Sequence, residues 1–143
     1  MKKGRKRELA GGLIIILFLL MTSCEKDKVL SKAILGKWEV ISMSQITFEN
    51  NVKKAESTLY FGPDEMKYQF IDSNIGIFFE NEKDYLFSWT LTGNQLVISG
   101  LYTKDLVVDV SVEGSSLIWT YTENDEEIPG ISYEFIHTAK RLN

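Results

Sequence analysis

Short runs in which apolar and polar residues alternate fill most of this sequence and limit the folds open to it. Clusters of Gly, Asn, Asp and Pro separate these runs. Alternation with a period of two residues is typical of β-strands that bury one face, and the short connections predict an antiparallel meander. The predicted strands are Gly36–Ser44, Thr58–Phe61, Met66–Ile71, Ile75–Glu80, Tyr85–Leu91, Gln95–Ser99, Leu106–Val112, Leu117–Thr122 and Ile131–Lys140.

Nearly every predicted strand carries its large apolar residues on one side only. Leu117, Trp119 and Tyr121, for example, are spaced two residues apart and therefore share a face. A meander with a single apolar face can bury it by curling into a closed barrel, which also removes the exposed strand edges. The sequence therefore predicts an all-β, antiparallel up-and-down barrel of about eight strands, built as one domain over residues 33–143.

The N-terminus has the organisation of an export signal. A basic cluster, Lys2 to Arg7, precedes the apolar run Leu13 to Leu20. The uncharged stretch that contains this run covers 16 residues from Leu9 to Cys24. A membrane-spanning helix needs about 20 residues, so the stretch is too short for one. We therefore expect residues 1–23 to be a cleaved signal peptide that precedes the barrel.

The four residues Met21-Thr22-Ser23-Cys24 resemble the lipobox of bacterial lipoproteins, in which the cysteine thiol takes up diacylglycerol. Cys24 is the only cysteine of the chain, so it cannot form a disulfide within the chain. The resemblance implies a lipid anchor on Cys24 that holds the mature protein on a membrane without spanning it. Residues 24–32 would then form a polar tether that reaches at most about 30 Å.

The residues after Cys24 and the overall charge narrow the location and the partners. Glu25-Lys26-Asp27 resembles the charged signals that some Bacteroidota use to send lipoproteins to the cell surface, although a solvated linker fits equally well. We expect a cell-envelope protein of the outer membrane, facing the periplasm or the surface. Residues 24–143 carry 11 basic and 19 acidic side chains, a net charge of −8, which is unfavourable for binding nucleic acid.

Two landmarks near the ends of the domain resemble those of lipocalin-like barrels. Gly36-Lys37-Trp38 matches the G-x-W opening of that family, and Arg141 matches the basic residue of its last strand. The resemblance implies that Trp38 plugs one end of the barrel, that Gly36 permits a close approach, and that Arg141 packs on the tryptophan ring. It also implies that Gln45 to Ser57 forms a long loop over the open end.

The ionisable residues form no recognisable catalytic pattern, so we predict neither an enzyme nor a bound metal or cofactor. His137 is the only histidine and shares an inward row with Tyr133 and Phe135. We expect it to be a structural residue, hydrogen-bonded near a barrel end, with ligand contact or pH sensing as the alternative. The acidic cluster from Glu123 to Glu127 lacks the spacing of a calcium loop and is expected to be a solvated loop.

The barrel interior decides between two functional hypotheses, because eight strands enclose room either for packed side chains or for one small ligand. In the first, the domain binds a small hydrophobic or amphipathic ligand through Trp89, Trp119, Tyr121 and Tyr133. In the second, a solid-core barrel serves as a structural component of an envelope complex, or binds a protein partner there. Both hypotheses place the protein on a membrane through Cys24.

Overall fold

The computed structural model describes residues 29–143. The predicted signal peptide, Cys24 and the first part of the predicted tether lie outside these residues. The described part begins with a short helix, α1, at residues 29–34. Nine strands follow: β1 (Gly36–Glu49), β2 (Val52–Tyr60), β3 (Met66–Ile71), β4 (Ile75–Glu80), β5 (Lys83–Thr92), β6 (Gln95–Ser99), β7 (Leu106–Glu113), β8 (Ser116–Asn124) and β9 (Ile131–Leu142).

Eight of these strands close into an antiparallel barrel, as the sequence predicts. From β3 to β9 each strand pairs with the next one along the chain, and β1 pairs with β3. The barrel closes where β1 also pairs with β9, in a ladder that runs from Lys37–Leu142 to Glu49–Ile131. The fold is therefore the predicted all-β meander, with strand β2 as an addition outside the barrel.

One edge of strand β1 pairs with two different strands in succession. Its first residues, 36–39, pair with β3, and residues 42–49 pair with β2. Between these two parts the register against β9 shifts around Ile41, which marks a bulge. Beyond the bulge, β1 lies between β2 and β9, so β2 is attached to the barrel only through β1.

The prediction of a long loop from Gln45 to Ser57 is wrong, since this segment forms a β-hairpin. Asn50 and Asn51 make its turn with φ angles of 51° and 65°. Asparagine tolerates this left-handed region better than most residues, and tight hairpin turns require it. Every residue of β2 is exposed, so the strand has no buried apolar row, and the sequence predicts only its end, within Thr58–Phe61.

One end of the barrel is closed by Trp38, Arg141 and helix α1. The Arg141 Cζ atom lies 4.2 Å from the centroid of the Trp38 ring, the contact that the lipocalin resemblance implied. The Arg141 guanidinium also donates hydrogen bonds to the carbonyls of Ala33 and Leu35. Gly36 has a φ of +116°, and a Cβ there would stand 3.0 Å from Arg141 Nη1. Glycine is thus needed for both conformation and space.

Helix α1 also corrects the extent of the predicted tether. Residues 29–32 of the predicted tether are helical, and Leu30 packs against the hydrophobic core. Ile34 is completely buried, and its carbonyl accepts a hydrogen bond of 2.7 Å from Trp38 Nε1. The chain therefore enters the fold at the closed end.

Side chains fill the barrel from the closed end upward. Gly76 of β4 faces Phe87 of β5 directly, and a Cβ at Gly76 would lie only 2.0 Å from the Phe87 ring. Such contact leaves no room for a ligand at this level. The buried residues that pack together here include Trp38, Val40, Phe70, Phe78, Phe87, Trp89, Leu96, Ile98, Val108, Val110, Leu117 and Ala139.

Candidate binding site at the barrel mouth

A cavity of about 400 Å³ lies at the open end, between strands β3, β8 and β9 and the loop that joins β6 to β7. Alternation along β8 turns Trp119, Tyr121 and Glu123 toward it, because these residues share the inward face. The loop contributes Tyr102 and Lys104, and β3 contributes Tyr68. The cavity thus begins where the packed core ends.

Aromatic rings form the walls of this cavity and are arranged by the pairing of β8 with β9. Trp119 stands directly opposite His137, and their rings stack with centroids 5.4 Å apart. One step higher, Tyr121 stands opposite Phe135 at 4.9 Å, with the rings nearly parallel. Tyr68 meets the edge of Trp119 at 4.9 Å from the far side. Flat apolar surfaces of this kind suit a planar or apolar guest.

Three buried nitrogen atoms in this wall have no hydrogen-bond partner within residues 29–143. They are Nε1 of Trp119 and both ring nitrogens of His137. The other two tryptophans are different: Trp38 Nε1 donates to Ile34 O at 2.7 Å, and Trp89 Nε1 donates to Ile75 O at 3.0 Å. Buried polar groups in proteins are nearly always paired, so a cluster of unpaired ones at a cavity is a feature that needs a reason.

Burial keeps the cavity floor uncharged at neutral pH. It lowers the pKa of His137 to about 4, so the imidazole is neutral at pH 7. Burial likewise raises the pKa of Tyr121 to about 12, and it raises the pKa of Tyr68 well above its ordinary value, with the hydrogen bond to Tyr102 acting in the same direction. Both phenols therefore stay protonated and can donate hydrogen bonds.

The fixed charges stand at the rim instead. Lys104, Asp105 and Glu123 all line the cavity and are exposed to solvent. With one basic and two acidic side chains, the rim carries a net charge of −1 at pH 7. The site therefore has uncharged aromatic walls and a slightly acidic edge.

The structure brings together two of the four residues predicted to contact a ligand. Trp119 and Tyr121 both line the mouth cavity. Trp89 lies at the closed end instead, where it faces a separate cleft of about 380 Å³ beside Leu35 and Asp72. Tyr133 is not among the cavity residues, and its hydroxyl donates to Asp125 Oδ2 at 2.8 Å above the rim. Alternation along the strands predicts that all four side chains point into the barrel. It does not determine how far each lies along the barrel axis.

The prediction that the His137 ring is hydrogen-bonded is wrong. Its inward position on β9 is as predicted, but neither nitrogen finds a partner in the described chain.

The acidic cluster is also more ordered than a solvated loop. Asp125 accepts hydrogen bonds from the backbone of Glu127 and Ile128, at 2.9 and 2.8 Å, and so holds the turn between β8 and β9. Glu123 belongs to β8.

Sequence reasoning missed Tyr102 and Lys104 as residues of the site. Both lie in the loop between β6 and β7, where no strand periodicity indicates which side chains turn inward. Tyr102 lines the same cavity as Tyr68 of β3, so the loop reaches the mouth of the barrel. The only signal in the sequence is the pair of apolar residues, Leu101 and Tyr102, in this short loop.

Comparisons of the chain with protein-family models, with curated proteins and with solved structures find no match. Among residues 29–143, no group of three or more His, Cys, Asp or Glu side chains is placed to hold a metal ion. No helix in the same range has the length and hydropathy needed to cross a membrane.

Proposed function

We propose that this protein is an envelope lipoprotein whose barrel mouth binds a small apolar or amphipathic molecule. The observation that carries the proposal is the cavity of about 400 Å³ at the barrel mouth, whose lining includes Tyr68, Tyr102, Trp119 and Tyr121. Pockets that bind small molecules are typically lined by aromatic side chains with a few polar groups. The hydroxyl groups of the tyrosines can supply such polar contacts.

The size of the cavity limits the ligand. At about 400 Å³ it lies near the lower end of the range of roughly 300–1,000 Å³ that is usual for small-molecule sites. The packed core below it prevents a long chain from threading through the barrel. The ligand is therefore compact, and its apolar part packs against the aromatic lining of the cavity.

The lipid anchor on Cys24 is part of the same proposal and rests on the signal-peptide pattern and the lipobox. Five residue steps separate Cys24 from the start of α1, and they reach at most about 18 Å when fully extended. Because α1 packs at the closed end, the anchor holds that end near the bilayer and turns the mouth away from it. The ligand would then enter from the aqueous side or from a partner, and not from the anchoring membrane.

Native mass spectrometry tests the proposal on protein purified from the envelope of the parent bacterium. We expect a reproducible small-molecule adduct that is lost in Trp119→Phe and kept in Trp89→Phe, the matched control at the closed end. A ligand-free mass for the wild-type protein under gentle conditions would count against a carrier function. The same spectra report the anchor, because a processed chain beginning at a diacylglyceryl Cys24 has a defined mass.

Strand β2 favours a second candidate function, the binding of an envelope protein partner. All nine of its residues are exposed, and within residues 29–143 its outer edge pairs with no other strand. A free edge of this kind can accept an extended segment of another protein as an additional strand. A photo-crosslinker placed at Ser57 on β2, with one at Asp72 near the closed end as control, tests this. A protein adduct specific to Ser57 supports the candidate, and equal adducts from both positions contradict it.

A further inference from the structure

The charges around the barrel mouth limit the kind of ligand that the cavity takes, provided that the proposed binding function holds. Every second connection of an up-and-down barrel lies at the same end, so the β4–β5, β6–β7 and β8–β9 connections surround the mouth. With the strand ends beside them, these connections carry eight acidic and two basic side chains, at residues 80–84, 100–105 and 123–130. The three connections at the closed end carry one charged side chain, Asp72, within residues 72–74, 93–94 and 114–115. The negative charge of the domain is thus concentrated around the mouth.

Two carboxylates belong to the lining of the cavity itself. Asp105 and Glu123 both line it and are exposed at its rim. Neither forms an ion pair within residues 29–143, although Lys104 lines the same cavity. Apolar walls focus the field of such charges into a cleft, so the rim attracts cations and repels anions.

The accessible aromatic surface of the cavity lies near these carboxylates. Tyr102 is 52% exposed and Tyr121 is partly buried. Tyr121 and Glu123 are neighbours on the inward face of β8, and the Glu123 charge adds to the burial that raises the pKa of Tyr121 to about 12. An ammonium group is attracted to the face of an aromatic ring within about 6 Å. A cation at the rim can therefore be stabilised by a tyrosine ring and by a carboxylate together.

We infer that the ligand is an amphipathic amine, with a compact apolar body inside the aromatic cavity and an ammonium group at the rim beside Asp105 and Glu123. An anion is disfavoured because Lys104 is the only cation of the lining, against two carboxylates. A neutral molecule gains nothing from these carboxylates. The ammonium group can stay partly hydrated, since both carboxylates are exposed, so its desolvation costs little.

Three naphthalene probes that differ in charge test the inference. They are 2-naphthylmethylamine, a cation at pH 7, 2-naphthylacetate, an anion, and 2-naphthylmethanol, which is neutral. Each is titrated at pH 7 against the full chain in phosphatidylcholine nanodiscs with ¹⁵N-labelled tryptophan indoles, and empty nanodiscs correct for partitioning into lipid. The Trp119 signal reports on the mouth cavity, which Trp119 lines. Trp38 and Trp89 lie toward the closed end and are internal controls.

We expect the amine to shift the Trp119 signal and to bind at least about tenfold more tightly than the neutral alcohol. This ratio should fall in about 0.5 M salt, which screens the exposed carboxylates. The double variant Asp105→Asn, Glu123→Gln should abolish the preference for the amine. Glu113→Gln, which removes an exposed carboxylate beside the β7–β8 connection at the closed end, should keep it.

Equal or tighter binding of the acetate or of the alcohol at Trp119 overturns the amine inference but leaves the binding function standing. A preference for the amine that persists in the double variant also overturns the inference, because the attraction then does not come from the rim. If none of the three probes perturbs Trp119, both the inference and the proposed aromatic binding site are wrong.

Discussion

Replacing His137 by phenylalanine should make the protein more stable and less able to bind. Phenylalanine preserves the ring that stacks on Trp119 at 5.4 Å but removes two buried nitrogens that have no partner in the described chain. Because an unpaired buried polar group costs about 1–3 kcal/mol, the free energy of unfolding at pH 7 should rise by an amount in this range. Stabilisation by removing a side chain's polar atoms is unusual and is expected at a site kept for binding.

The same substitution should change how stability depends on pH. The pKa of His137 is lowered by burial to about 4, against about 6.5 when unfolded. Between these values the unfolded chain binds a proton that the folded chain does not, so wild-type stability falls as pH drops through this window. For one such group the loss between pH 7 and pH 5 is about 2 kcal/mol, and solvent at the mouth makes this a ceiling. The His137→Phe variant should not lose stability between pH 7 and pH 5 in this way.

Urea unfolding at pH 7 and pH 5, followed by tryptophan fluorescence, measures both effects. Tyr133→Phe is the matched control, because it lies on the same face of the same strand but removes a hydroxyl that is paired with Asp125. It should not stabilise the protein, and between pH 7 and pH 5 it should behave like the wild type. A His137→Phe variant that is less stable at pH 7, or that keeps the wild-type difference between the two pH values, would refute the reasoning.

Three further predictions concern the core, the closed end and the site. Gly76→Ala should destabilise the fold by about 1–3 kcal/mol in urea unfolding, because its methyl group meets the Phe87 ring; a neutral result would show that the ring moves aside at little cost. Arg141→Lys should lose the paired hydrogen bonds to helix α1 and speed amide hydrogen exchange there, and unchanged exchange would contradict the role of the guanidinium. In ligand titrations, Trp119→Phe should weaken binding by about tenfold or more, whereas Tyr133→Phe should leave it unchanged; equal losses in both would mean that the site extends above the rim.

Alternation was sufficient to predict the barrel because one apolar row recurs in almost every strand. Strands such as β4 and β6 have the predicted bounds, since each has a buried row and a turn at both ends. The closing pair, β1 with β9, followed from the need to remove free edges, and the landmark contact of Trp38 with Arg141 is present. These features depend on local pattern and on a general rule of sheet closure.

The remaining features of the fold and of the site depend on information that no local sequence pattern contains. Strand β2 is exposed on both faces, so burial leaves no trace in its sequence, and only its end, from Thr58 to Tyr60, falls within a predicted strand. Alternation along the strands predicts that Trp89 and Trp119 both point into the barrel. In the structure, Trp89 lies near the closed end and Trp119 at the mouth. Height along the barrel axis follows from strand register and the filling of the core, and these become known only when the strands are assembled.

A crystal structure of the protein purified from the parent bacterium's envelope tests the central claim most directly. We expect non-protein electron density in the mouth cavity, in contact with Tyr68, Trp119 and Tyr121. A cavity that holds only ordered water would contradict the proposed binding function, and so would one filled by the loop that carries Tyr102.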